Sequence, residues 1–358
     1  MDHPSDGAMN SFHIGHRLVG TDAPPFVIAE MSGNHNQSLS RAIELVEAAA
    51  ASGADALKLQ TYTADTITLK SDSPDFTITD PESLWAGKNL HELYQQAHTP
   101  WDWHKPIMDR ANELGMVCFS SPFDETAVEF LNELDVPAFK IASFENNHIP
   151  LIRKAASTGK PLIISTGMAS LSDLERAVNT AHEAGCEKII LLKCTSTYPA
   201  SPVNTNLRTI PHLRDLFGVQ VGLSDHTAGV GVAVASVALG ATVIEKHFTL
   251  SRHDGGVDSQ FSLEPDELAD LVVETKQAWE ALGTIAYGPT AAEVKSLAFR
   301  RSIYACKDIA VGDKFTAENI RIVRPGYGAP PYFFDQLIGK SAKQSYASGT
   351  ALSLDHLL

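Results

Sequence analysis

Two histidines in the sequence are placed as a metal-binding pair would be. His226 follows one short apolar run, and His247 closes the next such run along the chain. Residues two apart in a strand point to the same side, so Ser224 accompanies His226 and Glu245 accompanies His247. Neutral imidazole nitrogens suit a divalent first-row metal, with water or a substrate oxygen completing the shell. One such histidine would more often be a core residue, but a matched pair at neighbouring strand ends favours a metal site.

Lysines lie at the ends of three other apolar runs, at Lys58, Lys140 and Lys193. A charge at a buried strand end is costly unless it is paired or used. A Schiff-base aldolase would lower the pKa of one lysine, whereas a phosphate and carboxylate pocket would keep the lysines charged and add hydroxyl donors. Several lysines beside several serines favour the second chemistry, and salt bridges that hold strand ends remain the structural alternative, chiefly for Lys193. The serines are Ser121, Ser143, Ser165 and Ser224.

The elements that would position these residues alternate in a regular rhythm. Eight short apolar runs cover residues 26–30, 56–60, 117–121, 138–142, 162–166, 189–193, 221–225 and 243–247. Amphipathic segments between them cover residues 40–52, 103–114, 125–134, 174–184 and 230–239. This alternation predicts an α/β fold, a (β/α)₈ TIM barrel, whose chemistry lies at the carboxyl ends of the strands. The alternative, a doubly wound open sheet, is disfavoured because no GxGxxG follows the first run.

Three regions depart from the barrel rhythm. Residues 1–24 predict an N-terminal tail without the pattern of a signal peptide. Residues 61–100 form an insertion too long for an ordinary βα loop, either a lid over the site or a structural excursion. After a barrel domain over 25–285, we expect a linker at 286–295 and a small β-rich domain at 296–358. Within the barrel, Ser172 and Glu175 predict a helix-opening capping box.

The charge and the cysteines restrict the partners and the compartment. A net charge of −15 opposes binding to nucleic acid or anionic lipid, but local lysines can still hold a small anion. No run reaches the length of a membrane helix. The absence of a disulfide pattern predicts a reducing, cytoplasmic location, with Cys118 and Cys194 as small buried apolar residues. A metal-binding or catalytic thiol is the less favoured alternative.

Motifs along the chain resemble those of the sialic acid synthase family. In chain order they are AEMSGNHNQSL, LKLQTYT, FSSPFD, FKIASFE, STGMAS, LKCTSTYP, GLSDHT and VIEKHF. A later motif, IRIVRPGYG, resembles the C-terminal antifreeze-like (SAF) domain of that family. Phe144 and Ser196 stand where N-acetylneuraminate synthases typically have Gly and Asn. These residues and the insertion resemble the pseudaminic acid synthase branch.

The resemblance implies an enzyme that condenses phosphoenolpyruvate with an N-acylated amino sugar and releases phosphate. It implies a divalent metal, Mn²⁺ or Mg²⁺, held by His226 and His247, and a domain-swapped homodimer. It assigns catalysis to Glu30, Lys58, Lys140, Glu145 and Glu245. It assigns phosphoenolpyruvate binding to Lys58, Ser121, Lys140, Ser143, Ser165, Ser196 and Ser224. It assigns sugar binding to Gln60, Tyr198, Asp258 and, from the second subunit, Arg324.

The acceptor sugar is the finer question. Phenylalanine in place of glycine makes a pocket more apolar, which suits the methyl group of 2,4-diacetamido-2,4,6-trideoxy-altrose, the acceptor of the pseudaminic acid branch. N-acetylmannosamine, giving N-acetylneuraminate, or a related sugar giving legionaminate is the alternative. A non-catalytic carbohydrate-binding or ice-binding protein is an alternative from another class. Such a binder has no need for the lysines, the glutamates and the histidine pair.

Overall fold

The computed structural model describes residues 11–354. The chain divides into two compact units, Met1–Gly283 and Thr284–Leu358. The expected linker and small domain both fall within the second unit. In the described part of the chain, no helix is long and apolar enough to cross a membrane.

A short antiparallel hairpin precedes the barrel. Its strands are β1 (Phe12–Ile14) and β2 (Arg17–Val19). Ile14 and Val19 are fully buried in the core of the first unit. The turn residue Gly15 lies against Val117 and Pro137, which precede or open barrel strands, so the hairpin covers the amino-terminal ends of the strands. Residues 11–24 therefore do not form the predicted tail, and residues 1–10 lie outside the described residues.

Eight parallel strands close the barrel, which confirms the predicted fold and excludes the open doubly wound sheet. Each strand pairs with its neighbours in chain order, and the last strand pairs with the first. Every one of them is largely buried, because helices cover the outer face and side chains fill the inside. The strands are β3 (Phe26–Glu30), β4 (Ala56–Thr61), β5 (Val117–Pro122), β6 (Phe139–Ile141), β7 (Leu162–Ser165), β8 (Ile189–Cys194), β9 (Gln220–Asp225) and β10 (Val243–His247).

Among the described residues of the first unit, ten α-helices lie between or after these strands. The amphipathic segments predicted from the sequence correspond to α1 (Leu39–Ala51), α4 (Trp101–Glu113), α5 (Glu125–Glu133), α7 (Leu171–Glu183) and α9 (Gly231–Val237). The sequence did not predict α2 (Ala64–Ile67), α3 (Leu90–Ala97), α6 (Ile149–Ala156), α8 (Thr209–Phe217) and α10 (Pro265–Leu282).

The capping box of α7 differs from the prediction. The box pairs Ser170 with Asp173, not Ser172 with Glu175. Ser170 Oγ accepts from the backbone N–H of Asp173, and the Asp173 carboxylate accepts from the backbone N–H of Ser170. Aspartate occupies the position in which a capping box usually has glutamate or glutamine. The helix therefore begins two residues earlier than the predicted box would place it.

The second unit has its own small core. Strands β11 (Ser302–Ala305) and β12 (Ile320–Val323) pair antiparallel, and α11 (Phe334–Leu337) follows. Ile303, Phe315 and Tyr346 are buried together in a cluster separate from the barrel core. This unit is β-rich, as predicted, and its residues up to 354 include one short α-helix.

Candidate functional site

The carboxyl ends of the barrel strands bring charged side chains to one place. The strand register sets Glu30 beside both Lys58 and His247. Because side chains alternate along a strand, Lys58 on β4 and Glu245 on β10 both point into the barrel. Lys58, Glu30 and Glu245 are almost completely buried. A charged cluster therefore occupies the end of the barrel where such folds carry their chemistry.

One carboxylate lies between two lysines in this cluster. Glu245 Oε1 is 3.9 Å from the Nζ of Lys58 and 3.9 Å from the Nζ of Lys140. Ser224 Oγ also donates to Glu245 Oε1, at 3.2 Å. Lys58 forms a second, closer ion pair with Glu30. The two ammonium groups are thus held near each other by shared negative charge.

Hydroxyl groups extend the lysine cluster as predicted. Lys58 Nζ donates to Ser121 Oγ at 3.3 Å, and Lys140 Nζ donates to Ser165 Oγ at 2.8 Å. All four side chains are buried. Ammonium groups and hydroxyls that converge in this way can bind phosphate and carboxylate oxygens through charge-assisted hydrogen bonds.

The two buried glutamates differ in acidity because of their neighbours. Burial raises the pKa of Glu30 to about 7, although Lys58 opposes the rise. Burial also acts to raise the pKa of Glu245, but Lys140 and Lys58, helped by His226 and the Ser224 hydroxyl, leave that pKa below its ordinary value. Adjacent carboxyls whose pKa values are pushed apart can divide acid and base roles between them.

The imidazoles of His226 and His247 meet as the sequence predicted. Their ring centroids are 5.3 Å apart. His226 Nδ1 donates to the carbonyl oxygen of Thr195 at 3.0 Å, so the neutral ring would carry its lone pair on Nε2. Burial acts to lower the pKa of His226, but Cys194 and the Thr195 carbonyl outweigh burial and raise that pKa. His247 Nδ1 is buried and has no hydrogen-bond partner. Burial and the neighbouring His226 hold the pKa of His247 well below its ordinary value, which keeps this imidazole neutral.

These observations fit a divalent cation with few protein ligands. A neutral imidazole with an unused buried nitrogen is a normal metal donor. Within residues 11–354, no group of three or more His, Cys, Asp or Glu side chains is arranged to hold a metal. A cation at this pair would therefore depend on water or substrate oxygens for the rest of its shell.

A cysteine beside the histidines was not expected to take part in the site. Cys194 is buried, as predicted, but its thiol hydrogen-bonds His226 and lies 3.7 Å from Ser196 Oγ. Burial acts to raise the pKa of this thiol, but the hydrogen bond and charge of His226, the Ser196 hydroxyl and Lys140 together outweigh burial and bring the pKa down to about 7. Only the pairing of β8 with β9 brings the two residues together.

An aromatic wall lies next to the histidines. The Tyr198 ring is 4.6 Å from His226 and 5.2 Å from Phe261. Trp85, from the long insertion, lies 6.0 Å from Tyr198, and its Nε1 donates to the carbonyl oxygen of Val257 at 3.1 Å. The insertion therefore reaches the site, which favours the lid over the structural excursion. A cavity of about 360 Å³ opens beside Trp85.

Asp258 connects this wall to the metal candidates. Its Oδ2 accepts a hydrogen bond from Ser32 and is 3.7 Å from His247 Nδ1. Burial raises the pKa of Asp258. Ser32 was not among the predicted site residues, because it lies in an irregular loop after β3 and not on a strand.

Two predicted serines face each other across neighbouring loops. Ser196 Oγ donates to Ser143 Oγ at 2.8 Å, and Tyr198 also bonds Ser143. A side chain at Gly167 would come within 2.5 Å of Ser143 Cβ, and Gly167 has φ +46°. Glycine at this position therefore lets the loop after β7 approach the pair.

Other predicted residues lie at the edge of the cluster or away from it. Glu145 faces Lys140, and burial raises the pKa of Glu145 to about 7. Gln60 is partly buried on β4. Lys193 donates to the carbonyl oxygen of Cys194 at 2.8 Å and, among the described residues, has no ion-pair partner. Arg324 belongs to the second unit, where it follows β12 and is exposed.

A closed (β/α)₈ barrel with buried charged residues at the carboxyl ends of its strands is typical of an enzyme. Comparison with known families identifies an enzyme family as well. The chain belongs to the NeuB family, whose family model matches residues 45–287. The model of the SAF domain matches residues 300–358.

Individual members of the family differ in how similar they are to this chain. The pseudaminic acid synthase of Campylobacter jejuni is 45% identical over 93% of this chain and 96% of its own length. The N,N'-diacetyllegionaminic acid synthase of the same organism is 37% identical over 89% of this chain and 96% of its own length. The crystal structure of N-acetylneuraminic acid synthetase from Leptospira borgpetersenii, in complex with citrate, superimposes with a TM-score of 0.72 at 31% identity. It covers 80% of this chain and 95% of that one.

Proposed function

We propose that this chain is a pseudaminic acid synthase that condenses phosphoenolpyruvate with 2,4-diacetamido-2,4,6-trideoxy-altrose and releases phosphate. The observation that carries the proposal is the buried group of Lys58, Lys140 and Glu245 at the same barrel end as the two histidines. This group offers cations for the phosphoenolpyruvate oxygens and a carboxylate for a developing positive charge.

The lysines and serines form the proposed phosphoenolpyruvate pocket. Lys58 and Lys140 would each exchange part of their contact with Glu245 for the phosphate or carboxylate of the substrate. The hydroxyls around them would fix its orientation, so that C3 faces the sugar aldehyde. They belong to Ser121, Ser143, Ser165, Ser196 and Ser224.

His226 and His247 would hold a divalent metal, Mn²⁺ or Mg²⁺. When bound, such an ion polarises the aldehyde oxygen of the open-chain sugar as a Lewis acid. Both imidazoles are oriented or kept neutral without the metal. The Thr195 carbonyl accepts from His226 Nδ1 and fixes the orientation of that ring, and burial keeps His247 neutral.

The glutamates would handle the charge that develops during the reaction. When C3 attacks the aldehyde carbon, positive charge forms at C2, next to the ionised Glu245 between its lysines. Water then adds at C2, and the resulting intermediate loses phosphate. Glu30 and Glu145, each with a pKa of about 7, can hold or release the protons of these steps near neutral pH.

The acceptor assignment rests on the apolar surroundings of the mouth. Phe144 is 59% exposed there, and Trp85 and Tyr198 add aromatic surface. A methyl group at the sugar C6 would contact such rings more favourably than a hydroxyl would. The higher identity to a pseudaminic acid synthase than to a legionaminic acid synthase of the same organism supports the same acceptor.

The remaining proposals concern Arg324, the assembly and the compartment. By resemblance to the family, Arg324 of one subunit would contact the sugar in the barrel of the other, in a domain-swapped homodimer. Asp258 and Gln60 would complete the sugar contacts. The substrates and the four free cysteines support a cytoplasmic location.

The function is tested by phosphate release from phosphoenolpyruvate with three purified sugars in parallel, each with Mn²⁺ and with Mg²⁺. We expect the trideoxy-altrose to give the highest kcat/KM. A preference for N-acetylmannosamine, or for the sugar that leads to legionaminate, would overturn the acceptor assignment. Borohydride trapping of a lysine adduct would instead identify a Schiff-base aldolase.

The metal assignment is tested with His247→Ala. We expect turnover to be abolished while circular dichroism and the thermal midpoint show a folded chain. Near-normal phosphate release by the metal-free, folded variant would refute the role of this histidine.

A further inference from the structure

A buried ion pair lies behind the two histidines, on the outer side of the barrel wall. Lys246 Nζ is 2.8 Å from Asp225 Oδ2, and neither side chain has exposed surface. The register places these residues directly opposite each other on β10 and β9. Each one immediately precedes a histidine of the pair, so strand alternation points the imidazoles into the barrel and the ion pair away from it.

The lysine also holds the segment that follows His226. Lys246 Nζ donates to the carbonyl oxygen of Thr227 at 2.7 Å and to that of Gly229 at 2.9 Å. All three donors of the ammonium group are therefore used. Asp225 in turn accepts from the backbone N–H of Thr227 at 3.0 Å. The residues on both sides of His226 are tied to the residue that precedes His247.

Stability alone is a weak explanation for this arrangement. A buried ion pair must overcome a large desolvation cost, and apolar replacement of both partners often leaves a protein equally stable. Positioning is a stronger explanation here. A cation with only two protein ligands depends closely on how well those ligands are held in place.

We propose that Lys246 and Asp225 are positioning residues that fix the two imidazoles relative to each other and so set the affinity of the site for a divalent cation. The inference rests on the metal role proposed above for the histidine pair. Neither residue touches the substrates or the reacting atoms in this scheme.

The test is Mn²⁺ binding to the double variant Asp225→Asn/Lys246→Met. Removing both charges leaves no unpaired ion in the interior, so we expect the chain to fold with a thermal midpoint near that of the wild type. The three ammonium hydrogen bonds are lost. We expect the Mn²⁺ affinity, measured from the electron paramagnetic resonance signal of free Mn²⁺, to fall about 10–100-fold. Phosphoenolpyruvate binding without metal, measured by calorimetry, should be unchanged.

An ion pair of the same two residue types, with the Asp135 side chain 94% exposed, supplies the control at the opposite rim of the barrel. Lys160 Nζ is 2.6 Å from Asp135 Oδ1 and donates to the carbonyl oxygen of Val136 at 2.8 Å. We expect Asp135→Asn/Lys160→Met to leave the Mn²⁺ affinity unchanged. If the methionine variant at Lys246 does not fold, Asp225→Asn/Lys246→Gln replaces it. A glutamine amide reaches fewer of the three acceptors, so a loss of affinity is again expected.

The outcomes separate this inference from the proposed function. Wild-type Mn²⁺ affinity in the folded Asp225→Asn/Lys246→Met or Asp225→Asn/Lys246→Gln variant, beside a wild type that binds Mn²⁺, would overturn the inference alone. An equal loss in the control pair would overturn it as well, because the effect would then be general. If the wild-type chain bound no Mn²⁺, the metal role of the histidines would fail, and this inference with it.

Discussion

Three glutamates at the barrel mouth carry the same carboxyl group in different surroundings. Glu245 lies between two lysines, which hold its pKa below the ordinary value. Glu30 and Glu145 are dominated by burial, and the pKa of each rises to about 7. Glu145 Oε2 is buried and has no hydrogen-bond partner, so Lys140 and a backbone hydrogen bond offset only part of the loss of hydration. The folded chain thus holds protons on these two groups at a pH where ordinary carboxyls are ionised.

Glu145 should make the stability of the barrel depend on pH. Its pKa rises from 4.5 to about 7 on folding, so the folded state binds this proton more tightly. The resulting stabilisation is complete below about pH 4.5 and is lost as the pH rises through about 7. We expect Glu145→Gln, which cannot ionise, to lose less free energy of unfolding than the wild type between about pH 5 and pH 8.

Urea unfolding at the two pH values measures this difference. Glu44→Gln, at an exposed position on α1, is the control and should follow the wild type. Parallel losses in Glu145→Gln and the wild type would contradict the raised pKa.

Part of the site could be predicted from the residue pattern within individual strands. Alternation within one strand places His247 with Glu245, and Lys58 inside the barrel, without any tertiary information. The contact of Cys194 with His226 and the ion pair of Lys246 with Asp225 each join two strands. Such contacts depend on the register between strands, which no run of residues contains by itself.

At the scale of elements, the insertion between β4 and β5 brings an aromatic side chain to the mouth of the barrel. Its helices α2 and α3 pack together, and Trp85 between them extends to Tyr198 and Val257. The indole is anchored by its own N–H, so the ring is held at the edge of the site.

Removing this ring should weaken sugar binding selectively. We expect Trp85→Ala to raise KM for the sugar about fivefold, since an aromatic contact is worth roughly 1 kcal/mol. KM for phosphoenolpyruvate should stay unchanged, because that substrate is proposed to bind at the lysines. Steady-state kinetics with each substrate varied in turn gives both constants.

Leu69→Ala is the control within the same insertion, because Leu69 is 65% exposed. It should leave both KM values unchanged. A rise in KM for phosphoenolpyruvate in Trp85→Ala would show that the insertion acts on the whole site and not on the sugar alone.

The strands could be predicted more completely than the helices. Eight short apolar runs at a regular spacing are strong signals, and the observed strands match them within one or two residues. Helices α6, α8 and α10 escaped prediction, and each has a proline in its first turn, where the missing N–H is harmless. The hairpin was missed because strands of three residues are too short to show alternation.

At the scale of the whole molecule, the proposed exchange of Arg324 between subunits has a direct test. Neither His247→Ala nor Arg324→Ala homodimers should be active, because each lacks one part of every site. Co-expressed, the two variants should recover about a quarter of the wild-type activity. Half of the dimers are then mixed, and each mixed dimer has one complete site.

Phosphate release per milligram of the purified mixture measures this recovery, with separately expressed variants as controls. Activity in Arg324→Ala alone, or no recovery on mixing, would contradict the exchange. Size-exclusion chromatography with light scattering checks that every sample is dimeric.

The hairpin of β1 and β2 closes the end of the barrel at which the strands begin, opposite the end that carries the site. Ile14 and Val19 are completely shielded from water, and burial of two such side chains contributes roughly 3–6 kcal/mol. That is a large part of the net stability of an ordinary domain. A variant truncated to the first barrel strand would therefore expose apolar core residues at this end of the barrel to solvent, and we expect it to aggregate.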